Sequence, residues 1–248
     1  PPQERDGGKI EQTGRSENHQ DLMSKILLIE TSTKTCSVAV SENGSTICIK
    51  EHTSENYTHS EFLHVYIQEL LNKNDIALPN LDAVCVSKGP GSYTGLRIAV
   101  STAKGLCFGA DLKLLSITSL QSLSELARSK YPHYDYYIPM LDARRMEVYT
   151  QVFNSKGVAK SDVDAHILDE SSYDSFLAKG KCLFFGDGSE KSKELLQNEN
   201  AFFEDIAPSA SGMSELADGK FDSKSFEDVA YFEPFYLKDF VAGKKKQN

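Results

Sequence analysis

Ala83-Val84-Cys85-Val86-Ser87-Lys88-Gly89-Pro90-Gly91-Ser92-Tyr93-Thr94-Gly95-Leu96-Arg97-Ile98-Ala99-Val100-Ser101-Thr102-Ala103-Lys104-Gly105-Leu106 sets a short apolar run, a glycine-rich turn and a long apolar helix in direct succession. The run Ala83–Ser87 lacks polar alternation, as a strand covered on both faces does. A loop that leaves a strand and opens a helix can turn its backbone N–H groups toward an anion. This one has no Gly-Lys-Ser/Thr closure and spaces its glycines G-x-G-x-x-x-G, so it matches neither the P-loop nor the dinucleotide fingerprint. A tight strand-to-helix turn is the simpler reading. The helix predicted over 94–108 carries two charges, Arg97 and Lys104, within roughly 20° of each other on the wheel. The rest of its circumference is apolar or small, and Ala99/Ala103 and Ser101/Gly105 are each four apart, so a neighbouring backbone can come close. A helix apolar nearly all round is buried nearly all round. A deep core and coverage by a second subunit both satisfy that pattern.

Working outward, the preceding helix is predicted to start at Thr58, where Thr58-His59-Ser60-Glu61 forms a capping box. Phe62, Leu63, Tyr66, Ile67, Leu70 and Leu71 spread over roughly 180° of this helix, and Val65 lies outside that arc. One core-facing stripe needs little more than ~100°, so a second face should be covered here too. Strands are expected at 26–30, 36–40, 46–50 and 112–115, with a hairpin turn at Glu42-Asn43-Gly44-Ser45. The second half echoes the first. Strands at 136–141 and 147–153 flank a turn at Ala143-Arg144-Arg145; a strand at 163–168, a helix at 171–178, a strand at 181–185 and a helix from Ser189 follow. A β-β-β-α-β-α order met twice is an internal duplication read from element order. The leucine-rich segment 118–129 reads as the helix bridging two mixed-sheet lobes. The expected division is a disordered extension or expression remnant at 1–22, lobes at 23–117 and 118–241, and a basic disordered tail at 242–248.

Composition excludes several function classes. The chain has 248 residues, no Trp and a net charge of −9. Residues 1–22 hold three basic and five acidic side chains, which leaves −7 on the remainder. An acidic body with one basic run, Lys244-Lys245-Lys246, is a poor nucleic-acid binder alone. Apolar runs such as Ile26-Leu27-Leu28-Ile29 are too short to span a bilayer, and no apolar leader is visible. The five cysteines (Cys36, Cys48, Cys85, Cys107, Cys182) form no C-x-x-C pair and read as buried thiols of a reducing cytoplasm. His59 and His64 are five apart, roughly 140° on a helix, and so do not make a metal pair; capping and surface roles fit them better. Ser32, Ser92, Ser119 and Ser189 lack a G-x-S-x-G elbow and suit caps. Asp142 and Glu147 flank a hairpin at an unknown separation, and Gly186-Asp187-Gly188-Ser189 reads as a turn with an N-cap.

Ile29-Glu30-Thr31-Ser32-Thr33, His59-Ser60-Glu61, Gly89-Pro90-Gly91-Ser92-Tyr93-Thr94-Gly95-Leu96-Arg97, Asp142-Ala143-Arg144-Arg145 with Glu147-Val148-Tyr149, and Pro234-Phe235-Tyr236-Leu237-Lys238 together resemble the TsaB (YeaZ) family. They run in family order across about residues 24–240, and the glycine loop is the specific one. The resemblance implies an α/β, actin-like (ASKHA, ribonuclease H-like) fold built from two β-β-β-α-β-α lobes, and a cytoplasmic subunit in threonylcarbamoyladenosine formation in tRNA. It implies no catalysis by this chain alone. The partner would be a TsaD-like enzyme that transfers threonylcarbamoyl to the adenosine beside the anticodon. A TsaE-like ATPase joins that pair, TsaC-type enzymes supply threonylcarbamoyl-AMP, and ATP and metal sit on the partners; tRNA is met only through the complex.

The implied interface is a helix bundle carried here by Phe62, Leu63, Tyr66, Ile67, Leu70, Ala99, Val100, Ala103 and Leu106, with a homodimer when the chain is alone. Ala103→Arg is expected to break partner binding while leaving the monomer folded. The phosphate hairpins of the fold are degenerate. Glu30, Thr31, Ser32 and Thr33 contain no glycine, most TsaB sequences carry Asp where Glu30 stands, and Arg144 and Arg145 replace the small residues that close phosphate approach favours. The alternative is an enzyme in its own right, a nucleotide- or metal-dependent transferase or an M22-type peptidase.

Overall fold

The computed structural model describes residues 24–54 and 59–238; Thr58, the segment 1–22 and the tail 242–248, with the expectations placed on them, lie outside this range. The first half folds as β1 (Lys25–Glu30), β2 (Thr35–Glu42), β3 (Ser45–Thr53), α1 (His59–Lys73), β4 (Ala83–Ser87), α2 (Tyr93–Ala110) and β5 (Lys113–Ile117). Its sheet runs β3-β2-β1-β4-β5, antiparallel through the first three strands and parallel from β1 through β4 to β5. The β2–β3 turn places Asn43 at φ 50° and Gly44 at φ 74°, the backbone that an Asn-Gly pair is suited to supply.

Side chains alternate across this sheet. Leu27, Ile29, Val38, Val84 and Val86 pack under α1 and α2. Ile26, Leu28, Ala39, Cys85 and Leu115 point the other way and are covered by Ala210, Met213 and Ala217. With both faces dry, β1 and β4 read as unbroken apolar runs.

The second half comprises α3 (Ser119–Lys130), β6 (Tyr136–Asp142), β7 (Glu147–Thr150), β8 (Phe153–Asn154), β9 (Asp164–Ile167), α4 (Asp174–Leu177), β10 (Cys182–Phe185), β11 (Ala201–Glu204) and α5 (Ser214–Asp222). Its sheet runs β11-β10-β6-β7-β9, with β8 also on β6. With β8 set aside and the path read backwards, β9-β7-β6-β10-β11 is the order of the first sheet, and the duplication expected from element order is present in the strand pairing. The helices of the repeat have shrunk. The helix expected at 171–178 is the single turn α4, preceded by Tyr173 at φ 67°, and the helix expected from Ser189 is one 3-10 turn, Glu190–Ser192. Asp169 explains the first loss. Its carboxylate accepts from the Ser171 N–H at 3.0 Å and from both the Ser171 and Ser172 hydroxyls at 2.9 Å, a local arrangement that competes with helix. The strand expected over 147–153 breaks between β7 and β8, where Val152 N–H donates to Ser161 Oγ at 2.9 Å instead of to a ladder.

Beyond β11 the chain leaves the second sheet and crosses back over the boundary expected at 118. The 3-10 turn Ala210–Met213 and α5 close the open face of the first sheet. Glu227 N–H then donates to Leu114 O at 2.8 Å, and Phe235 N–H to Lys88 O at 2.8 Å. Among the described residues no helix is long and apolar enough to cross a membrane.

Candidate partner-binding surface and the two hairpins

The packing of α1 and α2 divides the predicted interface residues in two. Leu63, Ile67, Leu70, Ala99, Val100 and Ala103 belong to the core of the first lobe and are at most 5% exposed. Their apolar surface is spent on their own sheet, which corrects the expectation that they face a partner. Phe62, Tyr66 and Leu106 are half-buried. On the same two helices Val65 is 43% exposed and Phe108 86%. Of the two small-residue pairs on α2, Ala99/Ala103 turns inward and Ser101/Gly105 outward, and a Cβ added at Gly105 would meet no atom within 4 Å. The outward pair forms the floor of a groove of about 540 Å³ whose walls include His64, Arg97, Ile98 and Leu106. Rings and charges lie elsewhere on the two helices, and Arg97 links one set to the groove wall. Phe62 stacks on Tyr66 with centroids 5.7 Å apart, Lys50 Nζ lies 4.9 Å from the Tyr66 ring, and Arg97 donates to the Tyr93 hydroxyl at 2.6 Å. Tyr93 packs in turn on Tyr236 at 5.0 Å.

The glycine loop is bolted to the first hairpin. Ser92 N–H donates to Ser32 O at 2.6 Å, and Thr31 Oγ1 donates to Gly95 O at 2.9 Å. A Cβ on Gly91 would stand 2.4 Å from Ser32 O, and one on Gly89 would stand 2.8 Å from Leu96 Cδ1. These two glycines are required by close approach. Ser92 caps α2, accepting from Gly95 N–H at 3.3 Å, the role expected of it; Thr94 is exposed and Pro90 buried. On the hairpin, Thr31, Ser32 and Thr33 are at most 6% exposed. Ser32 N–H donates to the Glu30 carboxylate at 2.6 Å, and Thr35 N–H to Thr33 Oγ1 at 3.3 Å. Glu30 is wholly buried and its Oε2 has no hydrogen-bond partner among the described residues. Burial pushes its carboxyl above the usual carboxylate range, partly offset by Ser32 and Ser87.

In the second hairpin Arg144 and Arg145 are exposed and adopt φ 74° and 53°. The Lys191 ammonium reaches in from the far side of β10, donating to Asp142 Oδ1 at 2.5 Å, Arg145 O at 2.8 Å and Glu147 O at 2.5 Å. All three of its protons are placed. Lys238, from the closing motif, pairs with the Glu147 carboxylate. Asp187, read only as a turn residue, accepts from Asp142 N–H at 2.9 Å. Nothing in the local sequence around Lys191 points at a hairpin over forty residues earlier. Among the described residues no His, Cys, Asp or Glu group could hold a metal ion, and His64 stands exposed by the groove.

The tRNA threonylcarbamoyladenosine biosynthesis protein TsaB of Haemophilus influenzae is 30% identical over 89% of this chain and 96% of its own length. That of Bacillus subtilis is 32% identical over 86% and 93%. The chain belongs to the TsaB family. The family model for TsaD, tRNA N6-adenosine threonylcarbamoyltransferase, also matches residues 51–231, as the shared actin-like architecture of TsaB and TsaD would lead one to expect. Among solved structures, YeaZ from Pseudomonas aeruginosa superposes with a TM-score of 0.72 over 87% of this chain and 100% of that one, at 24% identity. The TsaB fold is thereby matched in full, both lobes included.

Proposed function

We propose that this TsaB-family chain is a non-catalytic subunit that pairs with a TsaD-like enzyme to form threonylcarbamoyladenosine in tRNA, working in the cytoplasm. The observation that carries this reading is the groove on α2. The first lobe has built a dry core under α1 and α2 and still leaves Ile98 and Leu106 lining a groove with Ser101 and Gly105, while Val65 and Phe108 of the same two helices are exposed. Small residues on the floor of an apolar groove suit a partner helix laid across it, and a standard interface needs ~800 Å² from each side. Left uncovered, the same face would pair with a second copy.

The hairpins support the absence of independent catalysis. A phosphate would need free backbone N–H groups and open approach at Thr31–Thr33, where the Ser32 N–H is taken by Glu30 and the residues are buried. In the second hairpin the Ala143, Arg144 and Glu147 N–H groups are taken within the turn by Glu147 O, Asp142 Oδ1 and Arg144 O. These residues do not fit a nucleotide's phosphates, so ATP, metal and the activated threonylcarbamoyl group are assigned to the partners, including a TsaE-like ATPase. The test is reconstitution of tRNA modification from purified partners, with this chain included or omitted, alongside calorimetry of the isolated chain with Mg-ATP. Modification that proceeds equally without it, or stoichiometric nucleotide binding by it alone, would overturn the proposal.

A further inference from the structure

Where α3 gives way to β6 the chain reads Lys130-Tyr131-Pro132-His133-Tyr134. These residues, with Lys181 at the entry of β10 and Phe202 of β11, line a pocket of about 250 Å³ on the second lobe. That is below the ~300–1,000 Å³ of whole-ligand clefts and suits one planar ring system. Tyr134 lies 5.3 Å from Phe202 and 6.2 Å from Tyr137, centroid to centroid. Lys130 Nζ sits 5.1 Å from the Tyr131 ring and Lys181 Nζ 5.9 Å from the Phe202 ring. Among the described residues neither the Lys130 nor the Lys181 ammonium is in an ion pair. The two acids close by are engaged inside the protein: Asp135 accepts from Lys181 N–H at 2.9 Å, and Glu204 from the Tyr131 hydroxyl at 2.9 Å. An acidic chain has here set unpaired ammonium groups around part-exposed rings.

We propose that this pocket takes one unpaired nucleotide of an RNA strand, its base against the Tyr131, Tyr134 and Phe202 rings and the flanking phosphates on Lys130 and Lys181. Every base has a π-face, so such a platform holds single strands without reading sequence. Lysines serve as point charges for phosphates, whereas planar recognition of a carboxylate-bearing or phosphorylated peptide would favour arginine. The acidic body sets the scale: the contact is local and holds an RNA already delivered by other subunits. The choice of RNA over DNA rests on the tRNA-modification reading above; the pocket geometry does not depend on it.

Fluorescence anisotropy of the full chain with labelled hexauridylate at low salt tests the proposal, with a short RNA duplex and a phosphotyrosine peptide as competitors. Hexauridylate should bind at least tenfold more tightly than either competitor, and shift the Tyr134 ring protons in NMR spectra. The log–log salt slope should be about −1.4, from ~−0.7 per phosphate neutralised on a single strand. Lys130→Glu with Lys181→Glu, both exposed, should abolish binding yet leave co-elution with a TsaD-like partner intact, which separates failure here from failure of the heterodimer. Tyr134→Ala should weaken binding at least about fivefold, the low end for one lost stacked base. Equal affinity for duplex, a peptide that competes as well as the oligonucleotide, or a double charge reversal that changes affinity less than twofold would each overturn it.

Discussion

Gly105→Arg should make the isolated chain more stable and its complex with a TsaD-like partner far weaker. Gly105 lies within α2, exposed on the groove floor, with room for a side chain. Replacing a mid-helix glycine with a good helix former removes a penalty of about 0.8–1.0 kcal/mol. For a chain of this size that is ~2–4 °C in Tm. In the complex the guanidinium would be covered beside Arg97 and His64, which offer no counter-charge. An uncompensated buried charge costs about 3–5 kcal/mol, or two to three and a half orders of magnitude in Kd at ~1.4 kcal/mol per decade. Differential scanning fluorimetry on the chain and calorimetry against the purified partner read the two effects separately. Opposite signs are the signature, because a lesion to the fold would lower both quantities. Raised Tm with unchanged affinity would refute the assignment of this groove to the partner. Ala103→Arg, expected from sequence to spare the monomer, cannot serve: Ala103 is fully buried, so an arginine there overpacks the core and should unfold the lobe.

Glu30→Gln should alter the pH profile of stability. Because native Glu30 keeps its proton to higher pH than the unfolded chain does, the native state binds the extra proton between the two pKa values and stability falls as pH rises through that window. The variant should therefore gain Tm over the parent at about pH 8 and lose that advantage toward about pH 4; parallel profiles would show that the carboxyl is not held neutral. Lys191→Met removes three hydrogen bonds from the second hairpin and should cost about 2 kcal/mol, seen as a lower Tm and faster amide exchange at 144–147. Burial raises the thiol pKa to about 11 at Cys36 and Cys107 and about 12 at Cys182, and raises Cys85 further still. Ellman's reagent should thus label only the half-buried Cys48 rapidly in the native chain and all five cysteines after unfolding; fast native labelling of a second thiol would contradict the packing.

Much of this molecule was legible without coordinates because it rests on neighbours in sequence. Asn43-Gly44 specifies its turn through positive φ, and the run Ala83–Ser87 specifies a strand dry on both faces; the near-absence of charge on α2 suggested a helix buried nearly all round, yet Ser101, Gly105 and Phe108 stand exposed. The motif residues Gly89, Gly91 and Ser92 announced a tight strand-to-helix turn for the same reason. What the pattern could not settle was direction. A helix apolar nearly all round has no distinguished face, so only packing against β1, β4 and β5 sent Ala99 and Ala103 inward and left Ser101 and Gly105 out. Pairings distant in the chain were equally hidden. α5 returns to seal the first sheet and Lys191 fills the 142–147 hairpin because tertiary folding brings them there, and no local periodicity records a partner more than a hundred or more than forty residues away.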